Sequence, residues 1–154
     1  MSNRSTRTSR HIDAPCADVY RAITDANAVA TWMVPDGMSS QVHAFDVREG
    51  GQFRISLTYE EPGSAGKTSA HTDTYHGRFV TLVPYTQVVQ TMAFETSDDA
   101  MRGEMTVSYT LTSERGGTHL LAVHDKVPPG ISLADNDTGW RMSLGKLAAL
   151  VEAH

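Results

Sequence analysis

Apolar positions recur at helical spacing near both ends of the chain and at a spacing of two through its middle. Thr8 to Ile12 reads as a short strand; Val19, Ala22, Ile23 and Ala26 then fall three and four residues apart, forming the stripe of an amphipathic helix. Pro15 suits the first turn of that helix, and Asp18 in the same turn complements the helix dipole. Asp25 is placed to cap a second, shorter helix running to Trp32, which Pro35 and Asp36–Gly37 end. From Val42 the period shortens. Phe53, Ile55, Leu57 and Tyr59 alternate with Arg54, Ser56, Thr58 and Glu60, a strand with one buried face, and Gln41–Val47 is its hairpin partner across Gly50–Gly51. Glu61–Thr72 is polar and aperiodic and is expected to be a mobile loop. Tyr75–Val83, Val88–Glu95, Glu104–Thr112 and His119–Lys126 continue as strands joined by short connections, which favours antiparallel pairing.

The carboxyl end carries the strongest helical pattern. Ser132 and Asp135 have the spacing of a capping box, with Asp in place of the usual Glu. Leu133, Trp140, Leu144, Leu147 and Val151 then share a narrow arc, with Asn136 and Ser143 near its edge. Gly139 and Gly145 each weaken the helix by about 1 kcal/mol relative to Ala, which suggests close backbone approach or simple tolerance. The architecture expected is α+β: a curved antiparallel sheet of about six to seven strands wrapped around a long C-terminal helix, with two short helices after the first strand. One domain over residues 8–152 follows a flexible tail, residues 1–7. A curved sheet cannot touch a straight helix everywhere, so a cavity between them is expected.

Length and composition leave this picture intact and remove several alternatives. At 154 residues with 40% hydrophobic content, the chain suits one folded domain rather than a disordered segment. The longest apolar run, Leu147 to Val151, is far short of the roughly 20 residues of a membrane span. The amino terminus has no apolar core of a secretory signal, so a soluble cytoplasmic protein is expected. A net charge of −5 argues against nucleic acid as the main partner. The single cysteine, Cys16, excludes an intrachain disulfide and a Cys-based metal cluster.

Arg10–His–Ile–Asp–Ala–Pro15, followed by Val19 and Ala22, resembles the entry of the START-like (SRPBCC) superfamily. Trp32 and the run Phe45–Asp–Val–Arg–Glu–Gly–Gly–Gln–Phe53 resemble one branch, named for the carboxyl-terminal domain of the activator of the heat-shock protein ATPase. Gly77, Gly117–Thr118 and Gly139–Trp140 with Leu144 and Leu147 complete the likeness. The resemblance implies a helix-grip fold with a cavity between sheet and last helix. Pro84–Tyr85 and Met33 depart from the branch pattern, which often has an acidic residue beside the proline and an aromatic after the tryptophan.

Candidate chemistry is sparse. No histidine pair has the i, i+4 spacing of a zinc site; His71 and His76 flank a loop–strand junction, and His119 and His124 have opposite parity on one strand. Asp46, Arg48 and Glu49 read as turn chemistry beside Gly50–Gly51. Cys16 has no local histidine to activate it. No metal, cofactor or catalytic residue is therefore assigned. Trp32, Phe53, Tyr59, Phe79, Phe94, Tyr109 and Trp140 are the large apolar bodies, expected mainly in the core with a subset lining the cavity. Asn136, Ser143 and His124 are the polar candidates to face it. Three readings follow: a binding module for a small hydrophobic or amphipathic ligand, a START-like enzyme of cyclase, aromatase or hydrolase type, and a stress-response protein-interaction module. A monomer and a homodimer both fit.

Overall fold

The computed structural model describes residues 4–59 and 72–152. The expected loop Glu61–Thr72 lies outside the described residues, except that Thr72 opens a strand. The chain runs β1 (Thr6–Ile12), α1 (Cys16–Ile23), α2 (Ala26–Trp32), β2 (Met38–Phe45), β3 (Gln52–Tyr59), β4 (Thr72–Val83), β5 (Gln87–Phe94), β6 (Met105–Glu114), β7 (Gly117–Asp125) and α3 (Leu133–Glu152). The seven strands form one antiparallel sheet in the order β1-β7-β6-β5-β4-β3-β2. This is the helix-grip fold expected from the pattern: the sheet curls around α3, which packs against β1, α1 and α2.

Local chemistry accounts for the element boundaries. Pro15 caps α1 in extended conformation instead of sitting inside its first turn. The Asp25 carboxylate accepts from the Ala28 N–H at 3.3 Å and so starts α2. The buried Trp32 indole donates to the Ala22 carbonyl at 2.9 Å and locks α2 onto α1. The Ser132 hydroxyl accepts from the Asp135 N–H at 3.2 Å, the cap its spacing predicts. Arg115 and Gly116, both at positive φ, make the tight turn between β6 and β7. β1 begins earlier than its apolar pattern indicates: Thr6 and Arg7, expected in the flexible tail, pair with His124 and Val123.

The concave face collects one parity from each strand: Phe53 and Ile55; Tyr75 and Phe79; Val88, Gln90 and Met92; Met105, Val107 and Tyr109; Leu120, Ala122 and His124. Register shifts at Val42/Ala44 and Phe79/Thr81 bend the sheet. Gly77 faces Phe53 across β3–β4, and a Cβ there would lie 1.8 Å from the Thr91 carbonyl oxygen and 2.8 Å from the Phe53 ring. The position accepts no side chain, because backbone and an aromatic ring already fill the space. Gly50 has φ +86°, whereas at Gly51 the constraint is a Cβ 2.0 Å from the Asp46 carbonyl oxygen.

Candidate functional site

Beneath α3 the curl of the sheet leaves a cavity of about 220 Å³. Most of its wall is apolar: Met33 and Pro35 follow α2, Leu57, Tyr75, Met92, Phe94 and Met105 come from the sheet, and Gly139 and Trp140 from α3. A second, inner void of about 10 Å³ lies deeper, lined by Trp32, Phe53, Gln90 and Tyr109 among others. Met33, Tyr75 and Met92 border both spaces.

His124 organises the polar side of the cavity. It is 6% exposed, and its Nδ1 accepts from the Trp140 indole N–H at 3.0 Å and lies 3.2 Å from the Asn136 carboxamide nitrogen. An indole nitrogen only donates, so Nδ1 carries the lone pair and the proton sits on Nε2, 3.0 Å from the Met105 sulfur. Burial pushes the imidazole down to about 4, so His124 is neutral near pH 7. Asn136 passes the connection on, its oxygen accepting from the Thr6 hydroxyl at 2.6 Å. Trp140 also meets Tyr109 edge to face, with ring centroids 5.8 Å apart. α3 is thus fixed to β1, β6 and β7 by Asn136 and Trp140.

Of the ten residues expected at the cavity, Phe94, His124, Asn136, Trp140 and Ser143 line it. The other five sit elsewhere. Trp32, Phe53 and Tyr109 border the inner void, and Phe79, fully buried, packs on Phe45 and Phe53. Tyr59 is half-buried at the end of β3, opposite Met38, and borders neither space. For Trp32, Phe53, Phe79 and Tyr109 the physical reason is ring packing: Trp32 on Tyr109, and Phe53 on Tyr75 and Phe79. Among the lining residues that sequence reasoning missed are Met92, Met105, Asp135 and Gly139. Strand parity with Phe94 and Tyr109 marks the two methionines, and helical spacing from Asn136 and Ser143 marks the other two.

Asp46, Arg48, Glu49, Cys16 and His119 lie away from the cavity. Arg48 pairs with Asp46 at 2.7 Å on the surface, and Glu49 accepts from the Leu82 N–H. Cys16, half-buried, accepts from the Thr118 hydroxyl at 3.4 Å. His119 faces outward while His124 faces inward, and His71 lies outside the described residues. Among the described residues no group of three His, Cys, Asp or Glu side chains is placed to hold a metal ion. A wider depression of about 480 Å³ marks the opposite face of β3–β5, where Arg54 forks onto Glu95 at 2.8 and 2.9 Å with His76 alongside. The Arg54 guanidinium holds the Glu95 carboxyl down to about 2, so its charge is already satisfied by protein.

Curled sheet, gripped helix and the apolar space between them define a helix-grip protein of the START-like class. The chain belongs to the Activator of Hsp90 ATPase homolog 1-like protein family, whose model matches residues 13–152. Protein CV1439 from Chromobacterium violaceum is similar in structure, at 31% identity, with 96% of each chain covered and a TM-score of 0.87. The AHSA1-like protein from Aeromonas hydrophila shares the fold at 21% identity, covering 97% of this chain and 93% of its own, with a TM-score of 0.72. CalU16 from Micromonospora echinospora does so at 23% identity, with 97% and 76% covered and a TM-score of 0.66. No curated protein matches the chain. No helix among the described residues is long and apolar enough to cross a membrane.

Proposed function

We propose that the protein binds a small hydrophobic or amphipathic molecule in the cavity between α3 and the sheet, in a cytoplasmic setting. The observation that carries this reading is the cavity itself: about 220 Å³, walled mainly by apolar side chains and bordered by a few polar ones. Gly139 supports it. A Cβ at this helical position would meet nothing within 4 Å, so the glycine answers to no close backbone approach and leaves the cavity wall open. An enzymatic reading finds less support, because both ring nitrogens of His124 are engaged by protein groups.

Gly139→Leu tests the proposal. The new side chain enters the cavity, while removal of glycine raises helix propensity by up to about 1 kcal/mol. Titration with the neutral fluorophore N-phenyl-1-naphthylamine is expected to give saturable enhancement with the parent protein and at least tenfold weaker binding with the variant. Equal binding by both, or none by the parent protein, would remove the cavity from the function.

One observation favours protein docking as a second reading. Val47, Val80, Val83 and Tyr85 are 40–55% exposed and lie on the β2–β3 and β4–β5 ends of the sheet. The backbone N–H of Gly50 donates to the Phe79 carbonyl and ties those two ends together. Tyr85→Ser would weaken such docking and leave fluorophore binding unchanged.

A further inference from the structure

Tyr109 is fully buried on the concave face, and among the described residues no group lies in hydrogen-bonding position to its hydroxyl. A buried hydroxyl without a partner is costly, so such groups call for a functional explanation. Its ring is held on two sides, edge to face with Trp32 and with Trp140, so the hydroxyl cannot easily turn away. Gln90, 5% exposed, lines the same inner void from β5. Two polar side chains therefore border a space of about 10 Å³, room for one small polar group and nothing larger.

Among the described residues, only Met33, Tyr75 and Met92 stand on the border between this void and the outer cavity. Methionine side chains are unbranched and adaptable. The Tyr75 hydroxyl donates to the Met33 sulfur, a weak acceptor, at 3.5 Å. We propose that the two spaces form one site, in which an uncharged, mainly apolar molecule lies under α3 and sends a terminal hydroxyl or carbonyl past Met33 and Met92 to Tyr109 and Gln90. The inference rests on the cavity being a binding site and adds the chemistry of its occupant. A charged leading group is disfavoured because Gln90 is uncharged, burial holds the phenols of Tyr75 and Tyr109 protonated, and among the described residues no Lys or Arg lines either space.

Three matched probes separate the possibilities: naphthalene, 2-naphthol and 2-naphthoate, titrated into the parent protein, Tyr109→Phe and Gln90→Leu near pH 7.5. The parent is expected to bind 2-naphthol about tenfold more tightly than naphthalene, the factor given by one net hydrogen bond of roughly 1.4 kcal/mol. Tyr109→Phe should erase that preference while holding naphthalene within twofold, Gln90→Leu should reduce it, and 2-naphthoate should bind at least tenfold more weakly than 2-naphthol. If naphthalene and 2-naphthol bind alike, or Tyr109→Phe changes nothing, the inner subsite is refuted and the outer cavity stands. If 2-naphthoate matches 2-naphthol, the uncharged class is refuted. Failure of all three probes to bind the parent protein overturns the cavity reading and this inference with it.

Discussion

Acidification should destabilise the protein through His124 before the carboxylates respond. The folded imidazole titrates at about 4 against an ordinary value of 6.5, because burial beneath α3 disfavours the cation. Between those two values the unfolded chain takes up a proton that the folded chain refuses, so stability falls as pH falls. Integrated from about pH 7.5 to about pH 4.5, the loss is about 2–3 kcal/mol. His11 works in the opposite direction: its hydrogen bonds to Glu114 and Asp13 raise its pKa, so it adds stability on the acid side of the same window. The assay must isolate His124, and His124→Gln does so because a carboxamide oxygen can replace Nδ1 as acceptor without titrating. Urea unfolding at several pH values should show the parent protein losing about 2–3 kcal/mol relative to the variant across that span. A difference between the two proteins that stays constant with pH would refute a buried neutral imidazole.

Other outcomes follow from the same contacts. Trp140→Phe keeps a ring beside Tyr109 but removes a donor to the neutral imidazole; the His124 pKa should rise in an NMR titration, with about 1 kcal/mol lost in urea unfolding. Gly77→Ala should cost more than about 3 kcal/mol, or prevent folding, since the added carbon meets the Thr91 backbone; a change under about 1 kcal/mol would show that β4 and β5 separate easily. Tyr109→Phe should leave the melting temperature level or raise it slightly, because the hydroxyl removed has no partner among the described residues. Glu95→Gln should remove stability at neutral pH and flatten the acid transition between about pH 4.5 and about pH 2, the range in which the unfolded chain's carboxylate takes up a proton while the Arg54-bound one in the folded protein stays ionised.

Periodicity was a reliable guide to the sheet and to α3, because burial on one face imposes a spacing of two on strands and of three to four on helices. The alternation Phe53–Ile55–Leu57–Tyr59 marked β3, and Leu133 through Val151 marked α3. β1 was underestimated, by Thr6 and Arg7, because Thr6 is polar, yet it faces inward, where its hydroxyl bonds Asn136. The cavity was harder to read. Large aromatic side chains were the visible candidates, but they pack against one another, whereas much of the wall falls to methionines and a glycine. Asn136 illustrates the limit most clearly: it lines the cavity, as expected from its place on α3, yet its hydrogen bonds to Thr6 and His124 also hold the helix to the sheet. Asn136→Ala should therefore lower stability as well as alter binding.

Methyl NMR on methionine-labelled protein, with 2-naphthol added stepwise, tests the binding cavity most directly. Met33, Met92 and Met105 line it, while Met38, Met101 and Met142 do not. Saturable shifts at the first three, with the second three unmoved, are the predicted result. Unchanged spectra, or shifts spread equally over all six, would contradict an interior site beneath α3.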